Sequence, residues 1–256
     1  MKRKTIATLS VILLLRVAAL ADDNVLEQQR QQSEKPSAAI LNNYLQATQA
    51  HEADLRGASM DVDIDASVPN LNEHGKLRAL RKISKVGQIT YRVLGFQGDN
   101  TIKSQVIARY LQAEQQGQGD MSLAVVPANY KFKYKGEKTG PSGDRVYNFQ
   151  ISPRKKKVGL FKGEIELDAA TYLPVMERGR FVKNPSVFFK KVDFQRNFKI
   201  ENGVAVPQNM SSTIDARLIG KVELNINYTN FTPNAADDDQ TATGSETAAL
   251  PGSTNK

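Results

Sequence analysis

Residues 145–181 read RVYNFQISPRKKKVGLFKGEIELDAATYLPVMERGRF. Aromatic and β-branched residues open it, and a basic turn at 153–157 follows. In the next segment, Lys162 to Asp168, apolar and acidic residues alternate, and a third segment runs through Pro174 to Met176. A period of two places one side of each strand in a core and the other in water. The stretch therefore predicts a three-stranded antiparallel meander with one buried face.

Strands are predicted along most of the remaining chain as well. The predicted strands outside the meander are Ser59 to Val68, one or two within Lys82 to Phe96, Leu123 to Val126, Tyr130 to Tyr134, Phe188 to Ile200, Val204 to Thr213 and Leu218 to Phe231. Within 82–96, the residues expected to face inward are Ile83, Val86, Ile89, Tyr91 and Val93. Asn202-Gly203 is typical of a two-residue hairpin turn, and Pro207 indicates an edge or a bulge.

Two amphipathic helices interrupt this run of strands. The first opens at Pro36-Ser37, and the second spans Ile102 to Gln116 with Ile102, Val106 and Tyr110 on its apolar side. A helix embedded among strands can bury its apolar stripe by covering the open face of a curved sheet. We therefore expect an α+β, mainly antiparallel protein: a curved, half-open β-barrel with helices over its concave face.

The meander also carries a pattern of turn and strand residues, G-x-I-x-L-D-x-x-T-x-x-P-V-x-x-x-G, from Gly163 to Gly179. Together with Lys183-Asn184-Pro185-Ser186 and the strand pair that holds Val204 to Pro207, it resembles the outer-membrane lipoprotein-sorting family. These LolA/LolB-like proteins include the N-terminal domain of RseB-type sensors. The resemblance implies a half-closed antiparallel barrel with helices in its concavity, in which better-known members hold acyl chains.

An acyl-chain cavity of that kind would be lined by apolar residues of the second helix and of the meander. The candidates are Ile102, Val106, Tyr110, Tyr147, Phe149, Ile165 and Leu167. The same aromatic and aliphatic residues are also what an ordinary core contains. Sequence alone leaves both interpretations open.

The beginning and the end of the chain differ from its middle in composition. Residues 1–21 combine a basic start, an apolar run from Ile6 to Leu15 and Ala19-Leu20-Ala21, which predicts a cleavable secretory signal. Residues 22–36 are expected to be a flexible leader, 37–232 the half-barrel domain and 233–256 a disordered tail. The chain has no cysteine, which excludes a lipid-modified cysteine and disulfides.

The net charge of +8 is concentrated between the predicted signal and the predicted tail. The signal contributes four positive charges and the tail a net −3, so residues 22–232 carry +7. Arg154, Lys155, Lys156 and Lys157 form the densest basic run, which could contact anionic lipid head groups. Solubilising lysines on exposed strand faces are the alternative. Nucleic acid is not an expected partner, because no stacking aromatic pattern surrounds this run.

Catalytic and metal-binding signatures are weak. The two histidines, His51 and His74, belong to no known nucleophile or zinc motif and are expected to be solvated. Asp61, Asp63 and Asp65 alternate with β-branched residues, which favours a strand over a calcium loop. Glu164, Glu166 and Asp168 are expected on one water-facing side of a strand. We therefore expect no enzyme, no cofactor and no metal.

Two functional hypotheses remain. The first is a periplasmic carrier or chaperone, expected to be monomeric, that shields a lipid or an acylated lipoprotein in a hydrophobic cavity. The alternative is an envelope stress sensor, or protein-binding scaffold, of the same fold without bound lipid.

Overall fold

The computed structural model describes residues 37–51, 53–116, 120–140, 143–184, 189–217 and 219–234. The predicted signal, the leader and all but the first residues of the tail lie outside this range. The chain divides into two compact units, residues 1–44 and 45–256. Helix α1 occupies residues 37–51 and 53–54; Ile40 and Tyr44 in the first unit are buried. Among the described helices, none is long and apolar enough to cross a bilayer.

The second unit contains one antiparallel sheet of ten strands. They are β1 Ser59–Val68, β2 Glu73–Ile83, β3 Ile89–Gly98, β4 Tyr130–Thr139, β5 Arg145–Pro153, β6 Phe161–Asp168, β7 Pro174–Phe181, β8 Phe189–Glu201, β9 Val204–Ala216 and β10 Gly220–Thr232. Their order is β3-β2-β1-β10-β9-β8-β7-β6-β5-β4. Strands β3 and β4 are therefore the two edges, and the sheet is open, as the sequence predicts.

Helical structure follows β3 and precedes β4. An α-helical turn α2 (Asn100–Ile102), a π-helical turn (Lys103–Ile107) and helix α3 (Ala108–Gln116) are continuous, and together they form the central helical segment. A 3₁₀ turn, Pro69–Leu71, joins β1 to β2. Because β3 and β4 are opposite edges, the connection that holds the central helical segment leads from one edge of the sheet to the other.

Side chains of β1 alternate between the core and the outer side of the sheet. Met60, Val62 and Ile64 are each 1% exposed, whereas the aspartates between them face outward. Asp63 pairs with Arg78 at 3.3 Å, and Asp65 pairs with Lys76 at 3.1 Å, both across the β1–β2 ladder. These carboxylates therefore serve as cross-strand ion-pair partners on the exposed side of the sheet.

The predicted turn chemistry is also present. Asn202 and Gly203 have φ values of 51° and 81° and join β8 to β9, as a two-residue hairpin turn of the primed type requires. Pro207 lies opposite Phe198, directly after a register shift at Asn197. Of the two alternatives predicted for this proline, an edge strand or a bulge, the bulge is confirmed, since β9 lies between β10 and β8.

Three local predictions are wrong. Strand β2 begins at Glu73, well before the predicted Lys82. Val86 is 77% exposed because it occupies the β2–β3 turn, and Val93 is 46% exposed on the edge strand β3. Residues 123–126 form turns and bends instead of a strand. The Leu123 N–H donates to the Asp120 carbonyl oxygen, and Pro127, which follows the segment, has no N–H to donate to a neighbouring strand.

Candidate functional site

One row of side chains runs across all ten strands on the same face of the sheet. Residues that lie directly opposite each other in neighbouring strands point to the same side. Following the pairs from edge to edge gives Tyr134, Phe149, Ile165, Glu177, Arg196, Met210, Ile226, Ile64, Leu77 and Phe96. We call this side the inner face. The row is apolar except for Glu177 and Arg196 at its centre.

The central helical segment packs on part of the inner face. Ile102, Val106, Ile107 and Leu111 are at most 7% exposed and belong to one cluster with inner-face residues of β1, β2, β9 and β10. A Cβ at Gly75 would lie 2.8 Å from Ile102 Cγ2, so the glycine makes room for this side chain. The predicted stripe therefore covers the sheet, as expected.

Tyr110, the third predicted residue of the stripe, makes polar contacts at the same place. Its hydroxyl lies 3.3 Å from the Tyr228 hydroxyl and 3.8 Å from Met210 Sδ. Burial raises the pKa of Tyr110 well above its ordinary value, and nearby Glu114 adds to this. The tyrosine is thus a neutral donor or acceptor at the helix–sheet contact.

A buried arginine fixes the other end of the central helical segment. Arg81 Nη2 donates to Glu114 Oε1 at 3.1 Å, and its Nε lies 3.3 Å from Tyr91 Oη. Tyr91 also donates to Glu114, and the Arg81 side chain is only 8% exposed. These three residues, the Arg81 cluster, join α3 to β2 and β3. Sequence reasoning missed Arg81, although it occupies an inward position in the alternation Leu77, Ala79, Arg81, Ile83.

A second pair of charges lies at the centre of the inner row. Arg196 Nη1 donates to Glu177 Oε2 at 3.3 Å, and the guanidinium lies 6.0 Å from the Phe194 ring centre. Burial raises the pKa of Glu177, and the attraction of Arg196 offsets part of that rise. The glutamate side chain is 10% exposed, whereas the arginine keeps 41% of its side-chain surface open. Neither residue was predicted from the sequence.

The meander contributes an aromatic region to the same face. Phe149 contacts the rings of Tyr134 (5.1 Å between centroids) and Phe132 (6.1 Å). Phe149, Ile165 and Leu167 are fully buried, so in this structure they expose no surface to a ligand. Tyr147 lies opposite Leu167 but is half-buried, and it stacks on Tyr172 at 5.9 Å. The four predicted meander residues thus share the inner face, with Tyr147 at its margin.

The glycines and turn residues that carry the family resemblance have structural roles. Gly163 and Gly179 lie directly opposite each other in β6 and β7. In the β6–β7 turn, Asp168 Oδ1 accepts the backbone N–H of Thr171 at 2.7 Å and its hydroxyl at 2.8 Å. The predicted acidic face is also mixed: Glu164 pairs with Arg178 at 2.6 Å, but Glu166 is buried against Lys138 at 2.7 Å.

The basic turn, Arg154 to Lys157, has two kinds of residue. Arg154 Nε donates to Pro127 O at 2.8 Å, and Lys157 Nζ pairs with Asp120 at 2.7 Å, so both hold the loop that precedes β4. Hydrogen bonds from Lys157 and Ser122 lower the pKa of Asp120 to about 2. Lys155 and Lys156 are exposed and make no ion pair within the described part of the chain.

His51 is not the solvated residue that the sequence suggests. Its Nδ1 accepts the backbone N–H of Ala205 at 3.3 Å, and burial lowers the pKa of His51 despite the opposing effect of Asp54. An imidazole with this pKa is neutral at pH 7 and acts here as a backbone acceptor. In the described residues, no group of three or more metal-ligating side chains occurs.

These features define an open antiparallel sheet whose inner face is covered in part by a helical connection between its two edges. No family model matches the chain, and no curated protein matches it significantly. Solved structures align with much of the chain, at low identity and at TM-scores below 0.5. The fold described above stands on its own strand order.

Three of these structures can be compared. A DUF1329 family protein from Desulfovibrio piger is 12% identical, covers 79% of this chain and 95% of its own, and gives a TM-score of 0.43. A putative outer membrane lipoprotein-sorting protein domain from Vibrio parahaemolyticus is 10% identical, covers 76% of this chain and 94% of its own, and gives a TM-score of 0.40. A LolA superfamily protein from Nitrosomonas europaea is 8% identical, covers 76% of this chain and 92% of its own, and gives a TM-score of 0.34.

Proposed function

We propose that this protein is an exported, non-enzymatic carrier or chaperone of the periplasm, which shields the acyl chain of a lipid or a lipid-anchored protein on the inner face. The observation that carries the proposal is the central helical segment. It is a connection between opposite edges of an open sheet, and its stripe of Ile102, Val106, Ile107 and Leu111 covers inner-face residues. A cover of this kind is able to move aside without breaking any strand pairing.

The energetics of exchange favour an acyl ligand. When the central helical segment leaves the inner face, the sheet loses apolar contacts that only another apolar group can replace. Each CH₂ of an acyl chain removed from water contributes about 0.8 kcal/mol. A long chain therefore supplies enough free energy to offset the loss of a few aliphatic side chains. A water-filled inner face would instead promote aggregation.

Two variants of the central helical segment test the proposal. Val106→Asp places a carboxylate at the apolar contact, which costs several kcal/mol, so we expect lower stability and loss of laurate binding. Gln105→Asp, an exposed neighbour, is the matched control and should change neither. Ile102→Ala removes apolar contact at the start of the segment and should alter laurate uptake while the fold survives, at a cost of about 2–5 kcal/mol.

Native mass spectrometry of protein purified from its own envelope provides the independent measurement. We expect a co-purifying lipid. If wild type carries no lipid and takes up no laurate, and Ile102→Ala only lowers stability, the segment is ordinary core. The carrier proposal then fails, and a protein-binding scaffold becomes the better account.

The basic turn is part of the same proposal, because a carrier must meet a membrane. Lys155 and Lys156 are the residues that fit an anionic lipid surface, at about 1 kcal/mol each. Lys155→Gln/Lys156→Gln should weaken binding to phosphatidylglycerol vesicles by up to roughly thirtyfold at low salt, and less at high salt. Lys76→Gln/Lys82→Gln on β2 removes equal charge as a control. If both double variants weaken vesicle binding equally, the turn has no specific role at the membrane and serves only to keep the protein soluble.

A further inference from the structure

The Glu177–Arg196 pair occupies a place where the fold alone would favour apolar residues. Glu177 lies between Ile165 and Arg196 in the inner row, and Arg196 lies between Glu177 and Met210. Removing two charges from water is costly, and well-packed apolar residues of similar size often stabilise a core as well or better. The stability of the sheet therefore gives no reason for these charges.

Arg196 is surrounded by protein yet remains accessible. Desolvation is the largest influence on the pKa of Arg196 and lowers it, but Glu177, Tyr110, Tyr228 and Glu114 raise it above its ordinary value overall. At the same time, 41% of the side chain is open to solvent. The guanidinium is thus charged, and part of the arginine side chain is open to solvent on the inner face.

Most of the donors of this guanidinium are available to a ligand. Arginine has five N–H donors in a planar fork. Among the described residues, its one side-chain acceptor is Glu177, through a single contact of 3.3 Å. A planar fork matches a carboxylate or a phosphate, with which it forms two parallel hydrogen bonds.

The apolar surroundings supply the rest of a binding site. Met210 and Ile226 continue the row beyond Arg196 and pack in one cluster with the central helical segment, so they become available when that segment moves. Ile165 and Phe149, beyond Glu177, are fully buried and close the row on that side. Tyr110 of the central helical segment reaches the same point, because its hydroxyl contacts Met210. A cation at the centre of an apolar face, beside the central helical segment, is complementary to a molecule with one anionic end and one long apolar chain.

We infer that the ligand is an anionic amphiphile whose carboxylate or phosphate head binds Arg196 while its acyl chain lies on the inner face. Glu177 is the internal counter-ion that the ligand head replaces. This inference rests on the proposed function and narrows it, because a neutral glyceride or a neutral acyl anchor would leave Arg196 without a new partner.

Isothermal titration calorimetry with laurate and dodecanol, matched in chain length, tests the inference. Laurate should bind wild type about tenfold to a hundredfold more tightly than dodecanol, as expected for one charge-assisted hydrogen-bonded contact. Arg196→Gln should lower the affinity for laurate to the level seen with dodecanol, and it should leave the affinity for dodecanol unchanged. Arg180→Gln, an exposed arginine paired with Asp193 at 2.6 Å, is the control and should change neither. Dodecyl phosphate separates the two head groups: the tighter of laurate and dodecyl phosphate identifies the natural head.

Glu177→Gln keeps the test decisive if Arg196→Gln does not fold. Removing the internal counter-ion should tighten laurate binding severalfold and leave dodecanol unchanged. If laurate and dodecanol bind wild type equally, and Glu177→Gln affects neither, the inference is overturned while the carrier proposal stands. If neither amphiphile binds wild type, the proposed function fails as well.

Discussion

Gly163 and Gly179 allow strands β6 and β7 to approach each other closely. A Cβ on Gly163 would lie 1.9 Å from the carbonyl oxygen of Arg178 and 2.6 Å from Gly179 Cα. The two strands therefore approach each other more closely than side chains allow, next to the Phe161–Phe194 ring contact at 4.9 Å. A side chain at either position would push the strands apart.

Gly163→Ala is expected to lower the free energy of unfolding by about 1–3 kcal/mol, because its methyl group overlaps backbone that cannot turn away. Urea denaturation measures this. Gly95→Ala in β3 is the control, since nothing lies within 4 Å of its Cβ, and it should be neutral or slightly stabilising. Equal effects of the two substitutions would show that the close approach at Gly163 does not matter.

Lys157 and Asp120 give a second prediction for single residues. With the pKa of Asp120 lowered to about 2, its contacts with Lys157 and Ser122 form fully above the ordinary value near 3.8 and are lost as the pH falls through about 2. Lys157→Gln should move the pKa of Asp120 back towards its ordinary value, and Lys155→Gln should not. An NMR titration of the Asp120 carboxyl distinguishes them, and an unchanged midpoint in Lys157→Gln would contradict the contact.

At the residue level, alternation correctly places Phe149, Ile165 and Leu167 inside. It does not predict that Glu166 is buried, because the partner of this carboxylate, Lys138, lies on β4, well before β6 in the sequence. The inward positions of Arg81, Glu177 and Arg196 were not predicted, for the same reason. A charged residue at an inward position is recognisable only when its partner is known, and the partner is brought close by tertiary structure.

At the level of elements, the Arg81 cluster is the polar contact that holds α3 on the β2–β3 hairpin. The apolar stripe of the central helical segment supplies attraction without direction, whereas the hydrogen bonds of Arg81 to Glu114 and Tyr91 fix one position. Their removal should therefore loosen α3 more than it disturbs the sheet.

Arg81→Gln is expected to lower the free energy of unfolding by about 1–3 kcal/mol, a value reduced because Glu114 is 23% exposed. Amide hydrogen exchange should accelerate first in residues 108–116. Lys76→Gln, which breaks the exposed pair with Asp65, should cost under about 0.5 kcal/mol. Faster exchange spread evenly over the sheet would contradict a local role for Arg81.

Element predictions succeeded where short-range chemistry is decisive. The Asn202-Gly203 turn and the alternation of β1 are local and could be predicted. The start of strand β2 was missed because its outward residues His74, Lys76 and Arg78 alternate with Gly75, Leu77 and Ala79, which gives the segment few large apolar side chains. The turns at 123–126 were missed because Leu123 packs at Gly159, a contact that no local pattern indicates.

At the scale of the molecule, the strand order leaves β3 and β4 unpaired with each other and joins them through the central helical segment. The sequence predicted an open sheet with helical cover, since an amphipathic helix among strands must bury its stripe. It could not predict that the two charged residues lie at the centre of the covered face. The carrier proposal, and the narrower inference of an anionic ligand, both require that the cover moves.

Motion of the cover can be measured directly in this chain, which contains no cysteine of its own. Spin labels on cysteines introduced at Gln112 of α3 and Asn225 of β10, both exposed, report the distance from cover to sheet by double electron–electron resonance. A second pair, Lys131 and Asn225, reports the sheet alone. On saturation with laurate, the account predicts a longer and broader Gln112–Asn225 distribution and an unchanged Lys131–Asn225 distribution. An unchanged Gln112–Asn225 distribution in a laurate-saturated sample would contradict it.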